Sequence, residues 1–422
     1  MIMNLLEYKS TATKVYFGVY ALETYLNARQ HRKLLETEVP EELEGVVSKE
    51  EFEKDRLFEL RESHYRLVKS AWKVAKDIAF IQYDIYPLIW KYSSELLVKY
   101  FNLSGTHWYT DYFIVAAIFP IADAIAILPV MLYDFLVLKR HKKDSSAGSR
   151  SVRSPPQDNI NLGISIVLDI LPQLYFISQG VPNAYLYAMP FRLIHSAIDV
   201  LLLELVTQYF LNTEPLREDD LYFNIKKLAK DLGFNIDNLF VFQRDLQDPE
   251  APDVYIFENF TSKTIYLSDT IIEEASDEEI CALVTRELII RKSRFGLKKF
   301  ILNEACCLAL IYSFSKVMQN QGFYQQFGIS AMPIIFGATM FKTLIAPLKP
   351  VANFFFNLIT RKKEIKANSF VKSGQYGKHL KSGLLISYVS NKKNFNTDPL
   401  FSAYRSHNMS LAENLKSIIK TE

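Results

Sequence analysis

The sequence predicts an α-helical polytopic membrane protein with about seven transmembrane helices and a small α+β domain on the cytosolic side. Hydrophobic residues make up 49% of the 422 residues, and they are gathered into long blocks instead of being spread at amphipathic-helix spacing. Basic residues cluster at the ends of these blocks. The formal net charge is only +2, which argues against a nucleic-acid-binding surface.

Each predicted span is an apolar stretch bounded by charged or turn-forming residues. The third span contains only two acids, Asp123 and Asp134, and intramembrane acids usually face a polar cavity or a partner. The last span is interrupted by Pro347 and Pro350. With the N-terminus outside, most Lys and Arg near the boundaries lie on one side, as the positive-inside rule expects. The spans are residues 11–27, 77–101, 112–138, 160–177, 184–210, 300–318 and 327–359.

These spans divide the chain into four parts. Residues 1–212 are a membrane region with about five spans and cytosolic loops at 28–76 and 139–158. A soluble domain at 213–298, a pair of spans at 299–359 and a polar tail with helical character at 360–422 follow. Periodicity in the soluble domain predicts an amphipathic helix at 215–232 and strands at 238–243, 254–257 and 264–267.

A further helix in the soluble domain begins near Asp277, and its residues 286–290 read R-E-L-I-I. This is the frame of H-E-x-x-H, in which two histidines on one helical face hold Zn²⁺ while the Glu takes a proton from the metal-bound water. Only the Glu remains here, as Glu287. Arg286 cannot lose its proton to coordinate a metal, and Ile290 has no lone pair. The helix therefore predicts a metalloprotease scaffold without metal chemistry and without a cofactor.

Ordered motifs over nearly the whole chain carry a resemblance to one family. Residues 19–30, VYALETYLNARQ, are similar to VYxxETYLxxRQ, and residues 52–57, FEKDRL, to FEKSRLY. Residues 128–133 are similar to LPxxLY, and residues 254–274 follow a pattern of AYFYG, then DT, then EE. The chain thus resembles the type 1 CAAX prenyl proteases, which are integral membrane zinc metalloendopeptidases.

The resemblance implies helical spans around a large chamber, with a zincin-like peptidase domain built from residues 213–298 and completed by residues 360–422. It also implies a multi-pass protein of the endoplasmic reticulum membrane, with the inner nuclear membrane as a second location. The expected partners are the lipid bilayer and a prenylated peptide or protein, with no nucleic acid.

The family's zinc-site residues can be compared with this chain one at a time. The family helix reads HELGH, so the resemblance implies that Glu287 is a vestigial general base and that Arg286 and Ile290 replace the zinc histidines. The third family ligand is the Glu of an ExxAD motif, retained here as Glu364. The Asp of that motif, which orients a ligand histidine, is Asn368 in this chain.

Three other positions bear on the site. Ile289 stands where the family has glycine and adds bulk near the metal position. The family's last histidine corresponds to His407, which is either a structural polar residue or a working one. The family strand that pairs with substrate corresponds to Val254 and Tyr255, and an edge strand can bind a peptide through its backbone whatever its side chains.

The substitutions predict an inactive homologue, a pseudoprotease that binds a prenylated or hydrophobic peptide or partner without cleavage. The alternative is an active zinc metalloendopeptidase in CAAX-box protein processing that uses atypical ligands. A relocated zinc site has no support in the spacing of the histidines. A third possibility is a decayed duplicate with no selected role.

Two roles are open for Glu287 itself. In the first, Arg286 forms a cluster with Glu287 and Glu364 that replaces zinc as the link between two helices, because a guanidinium offers two-point pairing to carboxylates. In the second, Glu287 is a surviving catalytic residue that works without metal.

Overall fold

The structure is a computed structural model, and it describes residues 7–44, 48–101, 114–133, 171–179, 183–210, 213–243, 253–258, 263–292, 295–330, 332–389, 397–406 and 409–419. The predicted loop at 139–158, the first part of the fourth predicted span and His407 lie outside these residues. The described residues form long helices and one small sheet.

The N-terminal part consists of helices, and the first, α1 (Tyr8–Leu35), packs against the second, α2 (Lys49–Gln82). The hydroxyl of Tyr16 in α1 donates to the carbonyl oxygen of Thr343 at 2.8 Å, which ties the start of the chain to a helix near its end. The helices are α1 (Tyr8–Leu35), α2 (Lys49–Gln82), α3 (Ile85–Phe101), α4 (Phe119–Tyr133), α5 (Leu171–Ser178) and α6 (Ala184–Phe210), and a π-helical turn at Ile114–Ile118 precedes α4.

The boundaries of the first two predicted spans differ from the helices. α1 continues beyond residue 27 through its basic residues to Leu35. α2, which ends at Gln82, contains the predicted soluble stretch and the first residues of the second predicted span, and the rest of that span forms α3. The break comes at Asp84, whose φ of 54° is a left-handed conformation that Asp tolerates better than most residues. Helical periodicity continues across a membrane boundary, so it does not mark where a span begins.

By length and composition, one helix in the described part of the chain can cross a membrane alone, residues Phe300–Met318 of α10 (Phe295–Met318). After the short α11 (Gln321–Gln325), α12 (Ile334–Ile345) and α13 (Leu348–Lys372) together pass the same test and are bent by 45°. The predicted break at Pro347 is present. Pro350 lies in the first turn of α13, where its missing N–H removes no helical hydrogen bond.

The soluble part contains a sheet of four strands, β1 (Thr213–Pro215), β2 (Asn238–Phe242), β3 (Val254–Glu258) and β4 (Lys263–Ser268). Their order in the sheet is β1-β2-β4-β3, and β2 and β4 are parallel while the other pairs are antiparallel. The three predicted strands are present, and the predicted helix begins at Asp220 instead of residue 215. Pro215 instead belongs to β1, at a sheet edge where a proline is tolerated. The elements are β1 (Thr213–Pro215), α7 (Asp220–Asp231), β2 (Asn238–Phe242), β3 (Val254–Glu258), β4 (Lys263–Ser268) and α8 (Asp269–Glu274).

The helix that carries the R-E-L-I-I segment is α9 (Asp277–Lys292), and it is the centre of the soluble core. It packs against α7, β3, α13 and α14 (Gly377–Val389). Gly383 lets α14 approach closely, because a Cβ there would lie 3.2 Å from the carbonyl oxygen of Glu279. Two short helices, α15 (Pro399–Arg405) and α16 (Leu411–Ile419), complete the domain.

Asp398 connects this C-terminal part to α1. Its carboxylate accepts from Arg29 Nη2 at 2.9 Å and from the backbone N–H groups of Leu400 and Phe401 at 3.1 Å. Burial raises the pKa of Asp398, but Arg29 and the N–H groups outweigh it and hold the pKa below its ordinary value. The resulting stabilisation is complete above the unfolded-state pKa of about 3.9 and is lost as pH falls through the folded-state pKa.

We therefore expect Asp398→Asn to lower the free energy of unfolding by about 1–2 kcal/mol near neutral pH, and by progressively less in acid. Denaturant titration at several pH values measures the difference. Asp219→Asn is the matched control, because Asp219 also caps a helix, through Tyr222 N, and Asn caps as well as Asp. Equal losses in both variants would contradict a role for the Arg29 ion pair.

Candidate functional site

The candidate site lies on the face of α9 that packs against α13. The start of α9 follows its sequence signals, since Asp277, Glu278 and Glu279 occupy the first turn and favour the positive helix end. The N–H of Ser276 donates to Glu279 Oε2 at 2.9 Å, which is one arm of a capping box. These contacts set where α9 begins, and so which side chains its third turn presents.

Arg286 bonds three side chains with three of its nitrogen atoms. Nη1 donates to Glu287 Oε1 at 2.6 Å, Nη2 to Glu364 Oε2 at 2.9 Å, and Nε to Asn368 Oδ1 at 2.8 Å. The Arg286 and Glu364 side chains are 12% and 8% exposed, and Glu287 is 28% exposed. One guanidinium therefore links α9 to α13, at the positions that the resemblance assigns to a zinc centre. We call these four residues the Arg286 cluster.

The charge of Arg286 is maintained by its neighbours. Burial alone lowers the pKa of a guanidinium, because the charged form loses its hydration. The carboxylates of Glu364 and Glu287 outweigh this effect and hold the pKa of Arg286 above its ordinary value. Arg286 is thus a permanent cation between two carboxylates, and it offers no lone pair to a metal.

Asn368 extends the cluster to the last helix. Its amide nitrogen donates to Asn414 Oδ1 at 3.0 Å and to Ser417 Oγ at 2.8 Å, both in α16. Asn414 in turn donates to the hydroxyl of Tyr388 at 2.7 Å. An aspartate at 368 could accept from Arg286 but could not donate to α16. Sequence reasoning gave residue 368 no role and missed Asn414 and Tyr388, because their neighbouring sequence contains no motif.

A cavity of about 310 Å³ opens beside the Arg286 cluster. The predicted residues Val254, Tyr255, Glu287, Ile290 and Glu364 all line it, while Ile289 is not among its lining residues. At the cavity wall the guanidinium of Arg291 lies 5.9 Å from the centre of the Tyr255 ring. The other lining residues are Asp253, Ile256, Leu283, Arg286, Thr360, Leu384, Ser387 and Tyr388.

Within the described residues, no group of three or more His, Cys, Asp or Glu side chains is arranged to hold a metal ion. His407 lies outside these residues, so its position relative to the cavity stays a prediction.

Comparisons with known proteins agree over nearly the whole chain. A profile described as CAAX prenyl protease N-terminal, five membrane helices, matches residues 30–204, and a profile of Peptidase family M48 matches residues 215–406. The CAAX prenyl protease 1 homolog of Oryza sativa subsp. japonica is 28% identical over 95% of this chain and 94% of its own length. CAAX prenyl protease 1 of Saccharomyces cerevisiae is 25% identical over 94% of this chain and 92% of its own.

The fold also matches a solved structure. The crystal structure of S. mikatae Ste24p superposes with a TM-score of 0.74 at 24% sequence identity, covering 98% of this chain and 99% of that chain. The match confirms the predicted fold class, helical membrane spans around a chamber with a small α+β domain.

Proposed function

This chain belongs to the type 1 CAAX prenyl protease family, and from this premise we propose that it is a pseudoprotease. It binds a prenylated or otherwise hydrophobic peptide, or a partner protein carrying one, without cutting it. The observation that carries this proposal is the guanidinium of Arg286, hydrogen-bonded to Glu287 and Glu364. Those two side chains are the counterparts of the family's general base and third zinc ligand. The proposed location is the endoplasmic reticulum membrane.

The donor set of the cavity does not fit zinc. Zinc in catalytic sites takes three protein ligands, usually including histidine, and keeps a position open for water. Here Arg286 and Ile290 offer no lone pair, and Glu364 Oε2 already accepts from Arg286. Loss of the ion removes the activated water and the polarisation of the scissile carbonyl.

The open edge of the sheet supports peptide binding. Ser268 N donates to the carbonyl oxygen of Asp253 at 2.8 Å, so these two residues form a hydrogen-bonded pair between β3 and β4. Along an antiparallel pair of strands, hydrogen-bonded and non-hydrogen-bonded residue pairs alternate. Tyr255 therefore directs its backbone groups to β4, while Val254 and Ile256 direct theirs to the open edge, beside the cavity. An extended peptide can add there as a further strand.

Metal analysis of the purified full-length protein tests the absence of a zinc centre. We expect zinc well below one atom per chain, unchanged in Glu364→Ala. Stoichiometric zinc that is lost in Glu364→Ala would overturn the proposal and favour the alternative, an active metalloendopeptidase with atypical ligands.

Complementation separates the two functions in cells. We expect no rescue of a strain that lacks its own type 1 CAAX protease. Rescue that disappears with Glu287→Gln but persists with Glu278→Gln, an exposed residue of the same helix, would support the enzyme instead. A chain without a selected role would bind no labelled prenylated peptide, which fluorescence anisotropy detects directly.

A further inference from the structure

We propose that the cavity beside the Arg286 cluster takes a cationic side chain, a lysine or arginine of the bound peptide, between Glu287 and Glu364. This inference rests on the proposed non-cleaving peptide binding and adds which side chain the cavity selects. Three observations support it. They are the charge balance of the cluster, one oxygen atom of each carboxylate that has no donor among the described residues, and the aliphatic walls of the cavity.

With both glutamates ionised, the cluster carries one more negative than positive charge, and burial raises the pKa of Glu364 above its ordinary value. Arg286 contributes one positive charge against the carboxylates of Glu287 and Glu364, and Asn368 is neutral. A zinc ion in the same place would contribute two positive charges. With a guanidinium in place of a divalent cation, the two negative charges of the carboxylates therefore face only one positive charge. A partly buried excess charge is costly unless it is paired.

One oxygen atom of each carboxylate has no donor from the described residues. Arg286 reaches Oε1 of Glu287 and Oε2 of Glu364, and no described side chain or backbone N–H donates to the other oxygens. Glu364 is 8% exposed and lines the cavity. A donor for its second oxygen can therefore arrive through the cavity, and a cation donating there would also supply the missing charge.

The remaining charges of the cavity also favour a cation. Asp253 adds a third carboxylate to the lining, and it accepts hydrogen bonds from the hydroxyl groups of Ser268 and Ser387. The second guanidinium of the cavity, Arg291, lies over the ring of Tyr255 and forms no ion pair in the described part of the chain. The lining thus holds three carboxylates and two guanidiniums.

The shape of the cavity selects a long side chain with an apolar stem. Its walls include Val254, Leu283, Ile290 and Leu384, so aliphatic surface lies next to the carboxylates. Lysine and arginine combine an aliphatic stem with a charged end, and they bury the stem along apolar surface. A bare metal ion would leave these walls without a contact, whereas a basic side chain meets both the walls and the carboxylates.

The open edge of β3 sets which residue of the peptide enters. A peptide paired to Val254 and Ile256 is extended, and its successive side chains point to opposite faces. Only one side chain, or alternate ones, can therefore reach Glu287 and Glu364. The expected preference is for a basic residue at particular positions, not for total positive charge.

A lysine scan of a fluorescein-labelled, prenylated peptide tests this inference on the purified full-length protein. Lysine replaces norleucine at one position at a time, and anisotropy gives the affinity of each peptide. We expect lysine to bind about tenfold more tightly than norleucine at one position or at alternate positions, and glutamate to bind more weakly there. Glu287→Gln should remove the preference while still binding the norleucine peptide, and Glu278→Gln should keep it.

The outcomes distinguish the two proposals. Equal affinity for lysine and norleucine at every position overturns the cationic pocket but leaves peptide binding in place. No binding of any peptide overturns the proposed function, and this inference with it. A lysine preference that survives in Glu287→Gln assigns the preference to another part of the surface. The comparison among lysine, norleucine and glutamate peptides needs no variant, so it stands even if Glu287→Gln does not fold.

Discussion

Replacing Arg286 by methionine is expected to lower the free energy of unfolding by about 3–5 kcal/mol. Methionine keeps an unbranched stem of similar bulk but removes the charge and three hydrogen-bond donors. Glu287 and Glu364 then lie close together without the guanidinium that bonds them both, and Asn368 loses the donor to its oxygen. Breaking one partner of a buried ion pair costs more than the pair contributes, because the remaining charge stays desolvated. Denaturant titration of the detergent-purified protein measures the loss.

Arg291→Met is the matched control for this variant. Arg291 lies on the same helix and lines the same cavity, but its guanidinium contacts the ring of Tyr255 and has no ion pair among the described residues. We expect it to lose no more than about 1 kcal/mol. Adding Glu364→Gln to Arg286→Met should recover part of the stability, since it removes one unpaired charge. Equal losses for the two arginine variants would show that the cluster is not a structural link.

Peptide hydrolysis by this protein is expected to be undetectable, and Arg286→His combined with Ile290→His should not restore it. Without a metal ion, several kcal/mol of transition-state stabilisation are missing, and each 1.36 kcal/mol is about tenfold in rate. Restoring two imidazoles leaves Asn368 without the negative charge that orients a ligand histidine. Ile289, which is not among the cavity's lining residues, still stands where the family motif has glycine. Mass spectrometry of a prenylated peptide detects any released C-terminal fragment, and metal analysis detects bound zinc.

A fourfold variant separates these causes. It adds Ile289→Gly and Asn368→Asp to the two histidine substitutions, and it supplies both the ligands and their support. Zinc binding by the fourfold variant, with none by the double variant, would show that the residues at 289 and 368 control zinc binding together with the two histidines. Robust cleavage by the double variant would contradict the prediction. It would mean that the amide of Asn368 can orient a ligand histidine no less effectively than a carboxylate.

Some features of the fold were accessible from local sequence. The start of α9 follows from Ser276 and the acids after it, because capping and helix-dipole effects act within one turn. The bend at Pro347 follows from the chemistry of proline. By contrast, the division at Asp84 has no strong local signal, and Lys9, distant in sequence, binds its carboxylate at 2.5 Å.

The R-E-L-I-I segment by itself determined that this helix lacks the two histidine ligands of a zinc site, since neither Arg286 nor Ile290 has a side-chain lone pair to offer a metal in any surroundings. The family motifs indicated that Glu364 belongs to the same site. Only the tertiary structure decided that one guanidinium bonds Glu287, Glu364 and Asn368 together, and that α16 supports this arrangement through Asn414. These contacts join residues up to 82 positions apart, and such contacts depend on how whole helices pack, which no local pattern encodes.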